Sequence, residues 1–140
     1  MNLTRNFPRS PYEKVGGYMM LGRTIDKAHA TLQGLLGEYM YDCPLDKLLF
    51  GFLGVSANQL LELAENSEND EDLVRSLKNI QVERNTEEIE QFNDQILKSG
   101  PNDDNSRAYF SQLRQKHAPD RPDISSWFDI IEAEEGRLKQ

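Results

Sequence analysis

Apolar side chains recur along this chain at steps of three and four, and no stretch alternates for long enough to form a strand. Leu21, Ile25, Ala28, Leu32 and Leu35 are spaced by four, three, four and three residues, which sets them on one face of a helix expected over residues 18–37. A short second helix starts near Leu45, turns Leu45, Leu48, Leu49 and Phe52 inward, and stops at Gly54, a natural left-handed end. Ser56 and Gln59 have capping-box spacing ahead of a third helix carrying Leu60, Leu61, Leu63 and Ala64. The polar run Asn66 to Asp70 breaks the pattern. Asp70, Glu71 and Asp72 then suit the positive end of a fourth helix with Leu73, Leu77 and Ile80 on one face.

Asn85 and Glu88 repeat the capping box and open a fifth helix through Ile89, Phe92, Ile96 and Leu97, which Gly100-Pro101 ends. A sixth is expected from Asp103 to His117, inward through Tyr109, Phe110 and Leu113. After Pro119 and Pro122, Asp123 caps a seventh that buries Trp127, Phe128 and Ile131 and stops at Gly136. Ahead of all these, Pro8, Pro11 and Gly16-Gly17 make residues 1–16 an extended surface arm. The expected fold is all-α, one compact domain over residues 1–140.

A chain of 140 residues, 37% apolar and 29% charged, is long enough to bury its own core. Its longest apolar runs are far too short to span a membrane, and MNLTRNFPRS lacks the apolar centre of a signal peptide. One cysteine cannot close an internal disulfide, so a cytoplasmic protein is expected. The first fifty residues hold six basic and five acidic side chains, the remaining ninety ten and nineteen, for a total charge of −8. Such a chain repels phosphate backbones, and its one basic cluster, Arg5, Arg9 and Lys14, is sparse, so nucleic-acid binding is disfavoured.

No catalytic or metal motif completes itself. Cys43 precedes a helix start, where a thiol can gain reactivity, but Asp42 and Asp46 oppose that and no histidine is near in sequence; it reads as a structural cysteine. His29 falls at the edge of an apolar face, and His117 in the last turn of its helix, with no ligand-type partner three or four residues away. Gly16-Gly17 follows no strand and matches no phosphate-loop pattern; it reads as a turn that lets Tyr12 or Tyr18 pack back. The Leu53-Gly54-Val55 corner, between acidic flanks, is a helix–helix turn. No cofactor and no metal is expected.

The first helix carries the least ordinary residues. Opposite its apolar stripe lie Arg23, Ala30, Gly34 and Gly37, with Asp26 and Lys27 at the borders. Small residues there allow a second surface to approach, which would enclose Arg23 and oblige it to find carboxylates among Asp26, Asp46 and Asp129. Beside Tyr39 and Cys43, such a cluster forms either an ion network pinning the arm or the floor of a pocket for a small anion.

The blocks SPYEKVGGY, LGRTIDKAHA, LGEYMYDCPLD, EEIEQFN, SGP and SSWFDIIEAEEGR, in this order, resemble an uncharacterised bacterial family, domain of unknown function 5069. The resemblance runs from Leu3 to Arg137 and implies a bacterial domain without an assigned activity. The candidate binding residues are Arg23, Asp26, Lys27, Tyr39, Cys43, Asp46, Trp127 and Asp129, chosen by residue type and placement. The functional expectation is a non-enzymatic binding or interaction module for a protein or small-molecule ligand. The alternative is a small-molecule binder or enzyme built around Arg23, Asp26, Tyr39, Cys43 and Asp46.

Overall fold

The computed structural model describes residues 1–138 and is all-α. Its helices are α1 (Leu21–Gln33), α2 (Pro44–Leu53), α3 (Ala57–Asn66), α4 (Asp70–Ile80), α5 (Thr86–Lys98), α6 (Asp104–His117) and α7 (Trp127–Glu134). The chain divides into two compact units, Met1–Asn93 and Asp94–Gln140, with the boundary inside α5. Among the described residues, no helix is long and apolar enough to cross a membrane.

In the first unit, α1 packs on α3 and α3 on α4. Every residue from Leu21 to Ala28 is buried, so this part of α1 is enclosed on all sides, whereas Gly34 and Gly37 lie beyond the helix and are exposed. It is shorter than the periodicity implies. Met20, at φ 72°, turns the chain into the helix and Gly34, at φ 69°, turns it out. Leu32 lies in the last turn and is exposed, while Leu35 falls beyond the helix. Leu48 on α2 and Ile80 at the end of α4 are also exposed; α2 buries Leu45, Leu49, Phe50 and Leu53 instead.

The local signals hold. Gly54 ends α2 at φ 71°. The Ser56 hydroxyl accepts from the Gln59 amide at 3.1 Å while Gln59 Oε1 accepts from the Ser56 N–H at 2.8 Å. Asn85 and Glu88 close the same reciprocal pair at 2.8 and 3.1 Å. Gly16 and Gly17, both at positive φ, form a turn in which Val15 and Tyr18 exchange two backbone hydrogen bonds of 3.0 Å. That turn folds Tyr18 inward, edge-on to Phe52, with its hydroxyl accepting from Gln81.

Residues 1–16 form an arm that is extended over residues 7–10 and turns on either side. Its Leu3, Pro8 and Pro11 are buried, and the Leu3 N–H donates to the Leu35 carbonyl at 2.9 Å. Asn93 fastens the next segment. Its side chain accepts from the Met19 N–H at 2.9 Å and donates to the Gly17 carbonyl at 2.9 Å.

In the second unit α6 packs on α7 around Phe110, Ala118, Ile124 and Ile130, with Leu113 and Trp127 against them. Tyr109 is exposed, because one helical position separates it from the buried Phe110. The cap of α7 is Ser126, whose hydroxyl accepts from the Asp129 N–H at 3.1 Å. Asp123 instead pairs with Arg121 at 2.9 Å, so α7 begins later and buries Phe128 and Ile130, leaving Ile131 half-buried. A side-chain carbon on Gly100 would stand 2.4 Å from the Ser125 carbonyl oxygen, so this contact requires glycine.

Trp127 meets Phe110 edge-on, with ring centroids 5.2 Å apart. Phe110→Ala should cost about 3–5 kcal/mol, the range for deleting a buried large aromatic. Denaturant unfolding followed by Trp127 fluorescence checks it; an unchanged midpoint and an unchanged emission maximum contradict this core.

Candidate functional site

Two charged clusters surround α1. The first is the deeper. Lys27 lies one helical turn after Arg23 and, with Thr24, faces the start of α2. Its ammonium is 2.7 Å from Asp46 Oδ2, and the two side chains are 3% and 0% exposed. Lys27 Nζ also donates to the Met40 carbonyl at 3.0 Å and to Cys43 Sγ at 3.4 Å. Asp46 accepts from the Thr24 hydroxyl at 2.6 Å and from the Cys43 N–H at 3.2 Å. Asp46 stands in the first turn of α2, where a carboxylate meets free amides and the positive helix end.

Tyr41 borders this cluster, its hydroxyl donating to the Ala57 carbonyl at 2.7 Å. Burial first, then the negative charges of Asp46 and Asp42, hold its proton well above the ordinary tyrosine range.

The second cluster ties down the N-terminal arm. The Arg9 N–H and Nε both donate to Asp26 Oδ2, at 2.8 and 3.2 Å, and Nη2 donates to Asp26 Oδ1 at 3.1 Å. The rest of the guanidinium reaches Asp70 at the start of α4. Hydrogen bonding to Asp70, against the opposing cost of burial, holds the Arg9 proton even more firmly than usual. Gly22 makes the crossing possible: a side-chain carbon there would be 3.3 Å from Arg9 Cζ and 3.0 Å from Val15. Of the arm's three basic residues, Arg9 is thus engaged with carboxylates of its own chain. Arg23, 4% exposed, donates to the Arg9 carbonyl at 3.3 Å, and its guanidinium carbon is 5.5 Å from the centroid of the Tyr39 ring.

Of the residues singled out in the sequence, Lys27, Cys43 and Asp46 meet in one cluster. Asp26 meets Arg9, and Arg23 meets Tyr39. Trp127 and Asp129 belong to the second unit, on the first turn of α7. His29 is half-buried on α1, and His117 lies 3.6 Å from Glu134. Sequence reasoning missed Thr24, the Met40 carbonyl and Asp70; only the acidic first turn of α4 hinted at the last. Among the described residues, no three His, Cys, Asp or Glu side chains are placed to hold a metal ion. A shallow groove of about 360 Å³ lies between Val15-Gly16 and α4, lined by Asp70, Glu71, Val74, Arg75 and Lys78.

Residues 5–137 match the model of a family described as Domain of unknown function (DUF5069). The chain belongs to this family. No curated protein matches it. The matched span contains both clusters in full, from Arg9 to Asp70, so both belong to the family's domain rather than to an appendage.

In this DUF5069 member, Asp46→Ala should destabilise the fold by about 3–5 kcal/mol, because it leaves the Lys27 ammonium buried without its counter-charge. Replacing both partners, Lys27→Met with Asp46→Leu, should restore much of that loss. Chemical denaturation of the two variants checks the coupling, and equal losses in the single and the double variant would contradict it.

Tyr41 gives a second test. Its folded-state value is raised, so above the ordinary tyrosine pKa of about 10 the unfolded chain sheds a proton that the native chain keeps. Stability should therefore fall as pH rises past that point, and less steeply in Tyr41→Phe. Urea midpoints measured across alkaline pH read the difference.

Proposed function

We propose that this protein is a non-enzymatic interaction module of the bacterial cytoplasm that binds a partner protein. One observation carries the reading: the Lys27–Asp46 cluster is closed on itself. The three donors of the ammonium are matched by Asp46, the Met40 carbonyl and Cys43 Sγ, and Asp46 accepts from Thr24 and Cys43 as well. An ammonium that serves a substrate keeps a donor turned toward it. The same two segments carry exposed apolar side chains, Met40 at 64% and Leu48 at 48%, which supply contact surface for a partner. The bacterial setting follows the sequence resemblance, and the reducing compartment follows the single thiol.

A small-molecule pocket around Arg23, Asp26, Tyr39, Cys43 and Asp46 is the second reading. The near-complete burial of Arg23 against Tyr39 favours it, since an enclosed guanidinium beside an aromatic face suits a planar anion.

Two measurements separate them. Affinity capture with the wild-type chain and with Met40→Asp/Leu48→Asp, matched in melting temperature, should retain one partner in stoichiometric amount on the wild type alone. Thermal-shift titration with inorganic phosphate and small carboxylates should leave the melting temperature unchanged. A rise with one of these anions that disappears in Arg23→Lys overturns the module in favour of the pocket.

A further inference from the structure

The chain's single cysteine stands 3.4 Å from a buried lysine nitrogen, and that nitrogen stands 2.7 Å from a carboxylate. These are the parts of a covalent switch. From this geometry we infer that Cys43 and Lys27 join through a sulfur–nitrogen bond when the protein meets a hydroperoxide.

Cys43 sits at the N-cap of α2 and is half-buried, so a molecule as small as hydrogen peroxide can reach its sulfur while Lys27 stays out of solvent. The sulfur attacks one peroxide oxygen. A sulfur–oxygen bond forms, the oxygen–oxygen bond breaks, and the second oxygen leaves as water with the thiol proton. Sulfur has given two electrons to the peroxide, and the product is a sulfenic acid, which condenses with nearby nitrogen nucleophiles. Lys27 is that nucleophile. It passes one proton to Asp46, and its freed electron pair attacks the sulfur. The sulfur–nitrogen bond forms, the sulfur–oxygen bond breaks, and the departing hydroxide takes a second proton from the nitrogen as water. Asp46 keeps the proton it received, so no carboxylate is left charged opposite the neutral link. No further oxidant is needed.

A separation of 3.4 Å lies within the range of reacting atoms already in near-attack contact. The Met40 carbonyl and Asp46 hold the nitrogen in place, so condensation competes with a second oxidation of sulfur. The link ties α1 to the start of α2 and removes a buried positive charge. Attack of an external thiol on the sulfur expels the lysine amine, and a second thiol restores Cys43.

The experiment treats the full chain with one equivalent of hydrogen peroxide and reads intact mass and tryptic peptides. The expected product is lighter by two hydrogen atoms, carries linked peptides containing Lys27 and Cys43, has lost its titratable thiol, and returns to the starting mass with dithiothreitol. Cys43→Ser should show none of this. With dimedone present during oxidation, a Cys43 adduct should replace the link. In Lys27→Arg the sulfenic acid should persist and remain open to dimedone after peroxide is removed; the wild-type peptide map decides the question even where that variant fails to fold. An inert Cys43, a stable wild-type sulfenic acid, or conversion to sulfinic acid with no linked peptide would overturn the inference.

Discussion

A buried ammonium has to be matched, donor by donor, and the first unit is arranged around meeting that demand for Lys27. Taking the charge out of water costs several kcal/mol, which only close and well-directed acceptors can offset. Asp46 supplies the opposite charge from the first turn of α2, where the helix end already favours a carboxylate. The Met40 carbonyl and Cys43 Sγ supply the rest. The path from Gly34 to Pro44 is therefore constrained chemically as well as sterically. It must deliver a carbonyl, a sulfur and a helix start to one nitrogen. Tyr41 and Asp42, the latter at φ 66°, lie on the stretch that makes this turn.

The same logic explains how α1 is enclosed from Leu21 to Ala28 while carrying Arg23, Asp26 and Lys27. Successive i, i+4 pairs share a face. Gly22 and Asp26 face the arm, where the missing side chain of one admits the guanidinium that binds the other. Arg23 and Lys27 face the segment from Tyr39 to Asp46. Leu21, Ile25 and Ala28 supply the apolar side. Among the described residues, no buried side-chain nitrogen or oxygen lacks a hydrogen-bond partner, which allows a polar helix to sit at the centre.

What could be read from the sequence divides by range. The caps at Ser56 and Asn85 and the stop at Gly54 depend on residues within a turn of each other, and their spacing is diagnostic. The seven helices follow for the same reason. Periodicity misassigned Leu32, Leu48, Ile80 and Tyr109, because it tells which side chains share a face but not how far the neighbouring element extends to cover them. Asp123 was mistaken for a cap because Ser126, three residues on, does the same job; the carboxylate had a closer use in pairing Arg121. The charged clusters were half legible. Enclosure of Arg23 was expected, although Gly34 and Gly37, used to argue it, lie beyond α1 and are exposed; burial of Lys27 was not expected, its partners lie 13 to 19 residues away, and Arg9 reaches Asp26 and Asp70 across 17 and 61. Nothing local announces pairings of that kind.

Cys43 shows why a residue's own neighbourhood in sequence is a poor guide to its chemistry. Flanked by Asp42 and Asp46, it reads as a thiol held unreactive by negative charge. Folding turns Asp42 toward Lys47, at 2.7 Å, and turns Asp46 toward Lys27. An ammonium brought in from α1 then donates to the sulfur at 3.4 Å. A network that is complete in hydrogen bonds can still be incomplete in covalent terms. Met40 and Thr24 only hold the cluster together, whereas the proposed link between sulfur and the lysine nitrogen, with Asp46 as proton acceptor, needs only an oxidant. The closure of this hydrogen-bond network is therefore the same feature that holds sulfur and nitrogen within reach of each other.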